Sequence, residues 1–278
     1  MKGTYKADGA TLSYTDDGVG LPVVFLHPTP LDGDYWRPMV AVIDGIRAII
    51  PDLRGHGASE LGATLPVGGF SRVPDAPVLS MEQLANDTLA LLDQLGVQSA
   101  VFVGCSIGGY ALLELWRQAP QRMRGLAFVC SKPQPDAEPA LAKRAENIAR
   151  VRTDGVPGLF DTMSQTLTGA TARQKRPPIV AEVRARMTLT AEAVVAVQAG
   201  LATRPDSIPT VRTITVPVLS IAGGEDTAIA PADMKAFREA PGGCESHVIP
   251  DAGHFAAYEQ PLTVARLLGP WLKQFRAA

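Results

Sequence analysis

At 278 residues the chain can form one large α/β domain or two small ones. Apolar residues make up 46% of it, enough for a sizeable core, and 26 Lys and Arg against 28 Asp and Glu leave a formal charge of -2. Neither half carries a basic block, which excludes nucleic acid and an anionic membrane as expected partners, and no apolar run approaches the ~20 residues that span a bilayer.

Two short β-like runs open the chain, Gly3–Ala7 and Thr11–Asp16, with the hairpin signal Asp8-Gly9 between them. Val23–Leu26 and Ala48–Ile50 are continuous apolar runs, the pattern of strands buried on both faces of a parallel sheet. Ser80–Leu95 is the first clear helix. Met81, Leu84, Ala85, Thr88, Leu91, Leu92 and Leu95 share one face, Ser80 and Gln83 suit a capping box, and Gly96 suits a left-handed end. Strand Val101–Val103, helix Ile107–Ala119 (stopped by Pro120) and strand Leu126–Val129 follow. From Pro133 to about Thr213 the periodicity is helical. Strand–helix alternation then resumes with Val218–Ile221, Pro231–Ala240, Ser246–Ile249 and Pro261–Phe275. The outer parts predict an open parallel sheet covered by helices, and the middle a helical insertion.

Cys105, Cys130 and Cys244 show no C-x-x-C spacing, which argues against zinc. An odd number of cysteines in a long chain fits a reducing compartment. The opening MKGTYKADGA has no apolar core of a secretory leader, so a cytoplasmic protein is expected. The sequence says nothing of oligomeric state.

The strongest chemical signal is Gly104-Cys105-Ser106-Ile107-Gly108-Gly109, placed where a strand must turn sharply into a helix. Such a turn presents Ser106 at the carboxyl edge of the sheet and at a helix N-terminus, where developing negative charge is favoured. A glycine-rich turn with an incidental serine is the bland alternative, and the flanking strand and amphipathic helix weigh against it. Cys105 is a rival nucleophile, but its x position directs it into packing.

A serine nucleophile needs a base. Of His27, His56, His247 and His254, His254 sits in a turn-rich loop after the last strand, at the edge where open α/β sheets place ligands. Asp226, just past strand Val218–Ile221, is the expected acid, with Glu225 and Asp251 as competitors. An oxyanion hole needs backbone donors. Ile107 follows the nucleophile, and Thr29 has the only N–H between Pro28 and Pro30.

The elements His27-Pro28-Thr29-Pro30, Asp52–Ser59, Gly104–Gly109, Gly224-Glu225-Asp226 and Gly253-His254-Phe255 resemble, in this order, the α/β-hydrolases, and most closely the 3-oxoadipate enol-lactonase and esterase-like branch. The resemblance implies a mostly parallel eight-stranded α/β sheet flanked by helices, with a helical cap after the sixth strand. The core would then be 1–132 and 213–278 and the cap 133–212. It also implies no metal or organic cofactor and a structural role for His56. His27-Pro28 stands where the family commonly has His-Gly. Ser106 in place of aspartate disfavours the epoxide-hydrolase and haloalkane-dehalogenase branches.

The expected function is hydrolysis of a small-molecule ester or lactone by Ser106, His254 and Asp226. C–C bond hydrolysis or perhydrolysis on the same triad is the alternative, and a non-catalytic binding protein is the reading from another class. Met163, Leu167, Met187 and Leu189 could line an apolar pocket, though ordinary packing is the commoner role. No Arg or Lys stands out in the sequence as a carboxylate clamp.

Overall fold

Asp8 and Gly9 both take positive φ, 38° and 73°, the backbone that a tight two-residue hairpin demands. They join β1 (Lys2–Ala7) to β2 (Ala10–Gly18) in antiparallel register, with Ala7 opposite Ala10. The chain is described by a computed structural model over residues 1–62 and 65–276.

The remaining strands are β3 (Leu21–Leu26), β4 (Ile46–Pro51), β5 (Ala100–Cys105), β6 (Met123–Val129), β7 (Val218–Gly223) and β8 (Cys244–Ile249). They form one eight-stranded sheet in the order β1-β2-β4-β3-β5-β6-β7-β8. β2 runs antiparallel to β4, and every later pairing is parallel. The eight-stranded, mostly parallel sheet expected from the resemblance is therefore present. All residues of β5 and β7 are buried, as expected of strands covered on both faces, Ser220 of β7 included. β8 is an edge strand and largely solvent-facing.

The strand order reverses at β3. The chain steps outward from β3 to β4, then crosses back to place β5 on the other side of β3. The loops leaving β3 and β5 thus diverge and leave a crevice at their carboxyl ends, where ligands settle in open α/β sheets. Those loops carry Thr29 and Ser106.

The helix Met81–Gln94 packs its apolar face inward, and Gly96 ends it at φ 64°. Ser80 accepts from the Gln83 N–H at 3.0 Å, but the Gln83 side chain donates to Asp87 at 3.0 Å instead of returning to Ser80. Half of the predicted capping box is formed, because Asp87 competes for the amide. Asp87 in turn receives both Nε and Nη2 of buried Arg54, at 2.8 and 2.7 Å.

Between β6 and β7 run helices Glu138–Asp154, Pro157–Thr166, Ala170–Lys175, Ile179–Ala185, Ala191–Ala202 and Ile208–Val211. The predicted helix Pro231–Ala240 is a 3₁₀ turn, Asp233–Glu239. Prolines at 231 and 241 bound the segment on both sides. The last helix, Pro261–Leu272, continues as a 3₁₀ turn to Phe275 after Pro270 removes a helical donor. Among the described residues no helix is long and apolar enough to cross a membrane.

Candidate active site

Ser106 occupies the turn between β5 and helix Ile107–Gln118 with φ 51° and ψ -117°. This backbone is strained for a residue with a Cβ, at roughly 1–3 kcal/mol, and persists only where surroundings over-determine it. Here they do. A Cβ on Gly104 would lie 2.6 Å from the Gly108 carbonyl carbon, and one on Gly108 2.2 Å from the Leu26 carbonyl oxygen. The glycines therefore let helix, turn and β3 pack backbone to backbone. The Ser106 N–H donates to the Val129 carbonyl at 3.2 Å, and the Ser131 hydroxyl donates to the Ser106 carbonyl at 3.0 Å. Both contacts pin the turn to the end of β6.

Cys105, beside it, is fully buried and receives the Tyr35 hydroxyl at 3.3 Å. Burial pushes its thiol well above the ordinary range, so it stays protonated and poorly nucleophilic.

His254 lies in the loop after β8, 3% exposed, with Nδ1 2.8 Å from Asp226 Oδ2. The other Asp226 oxygen accepts the N–H groups of Ala228 at 2.8 Å and Ile229 at 3.0 Å. Burial alone would raise the Asp226 carboxyl. Attraction to His254, its hydrogen bond and the two backbone donors overcome that and hold it below the usual carboxylate range. Neither competitor takes this place. Glu225 accepts the N–H and hydroxyl of Thr171, at 2.8 and 2.5 Å, while Asp251 faces Lys175 at 3.4 Å.

The remaining histidines are accounted for elsewhere. His27 Nε2 accepts the Leu53 N–H at 2.9 Å, which leaves Nδ1 to donate to the Pro28 carbonyl at 3.0 Å. His56 Nδ1 donates to the Arg54 carbonyl at 2.9 Å, and Nε2 accepts the Thr29 hydroxyl at 2.9 Å. Burial, then repulsion from His27, pulls the His56 pKa down to about 3. Both rings are neutral struts of the Thr29 loop. His247 sits on the edge strand, 2.6 Å from Glu245.

Ser106, His254 and Thr29 line one cavity of about 150 Å³. Among the described residues the Thr29 N–H has no acceptor. Ile107 is the first residue of its helix, where an N–H lacks an intrahelical partner. From the helical segment the cavity takes Asp136, Ala140, Arg144, Met163, Leu167 and Leu201. Met187 and Leu189 are buried in the core and do not line it.

The profile of the alpha/beta hydrolase family matches residues 23–267. The chain belongs to this family. It is similar to 3-oxoadipate enol-lactonase 2 of Acinetobacter baylyi, 26% identical over 284 residues, covering 99% of this chain and 98% of that protein. It is also 32% identical to the non-heme chloroperoxidase CPO-A1 of Kitasatospora aureofaciens over 160 residues, 56% of this chain and 50% of that one. Among solved structures, a thermophilic esterase from Thermogutta terrifontis superposes with a TM-score of 0.87 at 30% identity, covering 96% of this chain and 95% of that one. Esterase, enol-lactonase and haloperoxidase relatives together mark this alpha/beta hydrolase as an enzyme of that superfamily acting on small molecules.

Sequence reading missed several residues at this site. Lys132 and Arg144 line the cavity, although neither stands out in the sequence as a carboxylate clamp. Lys132 follows the carboxyl end of β6, so the edge rule that picks out Asp226 would also have picked it out. Arg144 is one of several cations on its helix and carries no distinguishing signal. Glu259 was also missed. Its carboxylate accepts the N–H groups of Gly169 at 3.0 Å, Gly253 at 2.9 Å and Phe255 at 3.1 Å.

Proposed function

We propose that this chain is a serine hydrolase that cleaves a carboxylic ester or lactone through an acyl-enzyme. Ser106 is the nucleophile, His254 the general base and Asp226 its partner, with the Thr29 and Ile107 N–H groups as the oxyanion hole. The observation that carries the reading is the 2.8 Å bond from His254 Nδ1 to Asp226, made by an imidazole that shares a cavity with Ser106 and Thr29. With Nδ1 committed as donor, Nε2 is left as the acceptor that a serine hydroxyl needs.

Ser106 Oγ bonds to the substrate carbonyl carbon as its proton passes to His254, and the carbonyl oxygen becomes the oxyanion. Collapse breaks the ester C–O bond, and the imidazolium returns its proton to the departing alkoxide. Water, deprotonated by the same ring, then releases the acid. In a lactone the alcohol stays tethered to the acyl group. The segment 133–212 acts as the cap that roofs the cavity. Working in the cytoplasm fits the free thiols Cys105, Cys130 and Cys244.

Hydrogen peroxide in place of water in the second half would release a peracid, a reading favoured by the chloroperoxidase similarity. The test of the main reading is covalent labelling by a fluorophosphonate together with hydrolysis of p-nitrophenyl acetate. Ser106→Ala should abolish the label and cut turnover by ~10⁴–10⁶. Turnover unchanged in that variant removes the proposal.

A further inference from the structure

The wall of the cavity opposite in character to its Met163 and Leu167 side is cationic. Lys132 and Arg144 both line it, beside Asp136 and Tyr110. Asp136 is 4% exposed at its side chain and is shared by two arginines: Arg144 Nε at 3.0 Å and Arg204 Nη2 at 2.8 Å. Arg204 lies with its guanidinium carbon 4.1 Å from the centroid of the Tyr110 ring. One carboxylate between two guanidinium groups leaves one positive charge over.

Lys132 adds to it. Its nearest acid is Asp233 at 3.7 Å, beyond hydrogen-bond length, and that carboxylate is 40% exposed and so screened by solvent. Arg144 spends Nε on Asp136 and Nη1 on Gln198 at 3.2 Å. Among the described residues, Arg144 Nη2 and Lys132 Nζ have no hydrogen-bond acceptor. Donors of this strength on a partly enclosed wall favour an anion that can replace their lost hydration.

We infer that Lys132 and Arg144 form an anion subsite, and that the substrate is a compact ester or lactone bearing a carboxylate. The size argument points the same way. At about 150 Å³ the cavity is well below the ~300–1,000 Å³ of sites for larger ligands. Asp136 acts here as the brace that keeps Arg144 extended along the wall. This inference rests on the hydrolase reading above and names the substrate class of that site.

The test uses two pairs of esters that differ only by a carboxylate in place of a methyl group. Monomethyl succinate is compared with methyl butyrate, and acetoxyacetate with ethyl acetate. These place the charge on the acyl and the alcohol side respectively. Acid release is followed by pH-stat for the full chain. In at least one pair kcat/KM should favour the anion by about tenfold or more, the worth of one charge-assisted hydrogen bond. Lys132→Gln should lower that ratio by about tenfold, and Lys132→Arg should keep it. Ratios near or below one in both pairs overturn the inference, as does a preference that Lys132→Gln leaves intact. If none of the four esters is cleaved and Ser106 takes no fluorophosphonate, the hydrolase reading falls and the subsite with it. Cleavage of the neutral esters without selectivity removes only the subsite.

Discussion

Glu259 brackets His254: its Oε2 accepts the N–H of Gly253 at 2.9 Å and its Oε1 the N–H of Phe255 at 3.1 Å. The same Oε2 accepts the N–H of Gly169, and the Leu167 carbonyl accepts the His254 N–H at 2.9 Å. One buried carboxylate therefore ties the His254 loop to Gly169 in the helical segment between β6 and β7. Burial raises the Glu259 carboxyl, and the backbone donors oppose that rise.

Glu259→Gln sets an amide NH₂ where a carboxylate oxygen accepts a donor, so at least one backbone N–H loses its partner. The loop should shift, and displacements on this scale cost between about tenfold and hundredfold in kcat. KM should change less, because Glu259 does not line the cavity. Steady-state kinetics with a thermal melt checks this. A fall in melting temperature with kcat intact would make Glu259 a purely structural anchor.

A second prediction concerns acid. The Asp226 carboxyl is held below its unfolded value of about 3.9. A depressed carboxylate contributes stability that is fully present above the unfolded pKa and is lost as pH falls through the folded one. Urea unfolding between pH 5 and pH 3 should show the wild type losing more stability than Asp226→Asn. Parallel profiles for the two proteins would mean that His254 and the Ala228 and Ile229 donors do not stabilise the ionised form. The same variant should lose turnover through the wrong His254 tautomer, by up to ~10⁴.

His56 makes its own contribution nearer neutrality. Its pKa is about 3 in the fold and about 6.5 unfolded, so it too stabilises above the unfolded value and loses that contribution as pH falls. From pH 7 to pH 5 the linkage amounts to about 2 kcal/mol. His56→Gln should lower this slope, leaving the part that comes from buried His27, whose pKa is also pulled down by burial. Its turnover should also drop, since the Thr29 hydroxyl loses the ring acceptor at 2.9 Å. Identical unfolding free energies at pH 7 and pH 5 in the wild type would refute the neutral-strut assignment.

Much of this was legible in the sequence because the signals are local. Mostly apolar runs give β3 to β7, Asp8-Gly9 gives the hairpin, and G-x-S-x-G between strand and helix locates the Ser106 turn. The sequence could not show which side chains cross between elements. The Gln83 amide goes to Asp87, not Ser80, and Arg144 meets Asp136 and Gln198 from a helix whose cations look alike. Helix Ala191–Ala202 is buried along almost its whole circumference, so no amphipathic period marks its face. Met187 and Leu189 have the same composition as cavity-lining Met163 and Leu167, and only the fold separates them.

The helix that follows Ser106 meets β3 backbone to backbone. Gly108 lies where an added Cβ would sit 2.2 Å from the Leu26 oxygen and 2.7 Å from its carbon. Both atoms are backbone, at the end of the strand that leads into His27 and Thr29. Gly108→Ala must therefore push helix Ile107–Gln118 and β3 apart. No flexible side chain can absorb the clash. Overpacking of this kind costs about 1–3 kcal/mol. The Ile107 N–H lies on the displaced helix and the Thr29 N–H on the loop after β3, so an oxyanion held by both, as proposed, would lose its fit. Turnover should fall between about tenfold and hundredfold while fluorophosphonate labelling of Ser106 slows in parallel. A Gly108→Ala protein that melts lower yet labels and turns over normally would show that the spacing between the β3 loop and the Ser106 turn does not matter for the chemistry.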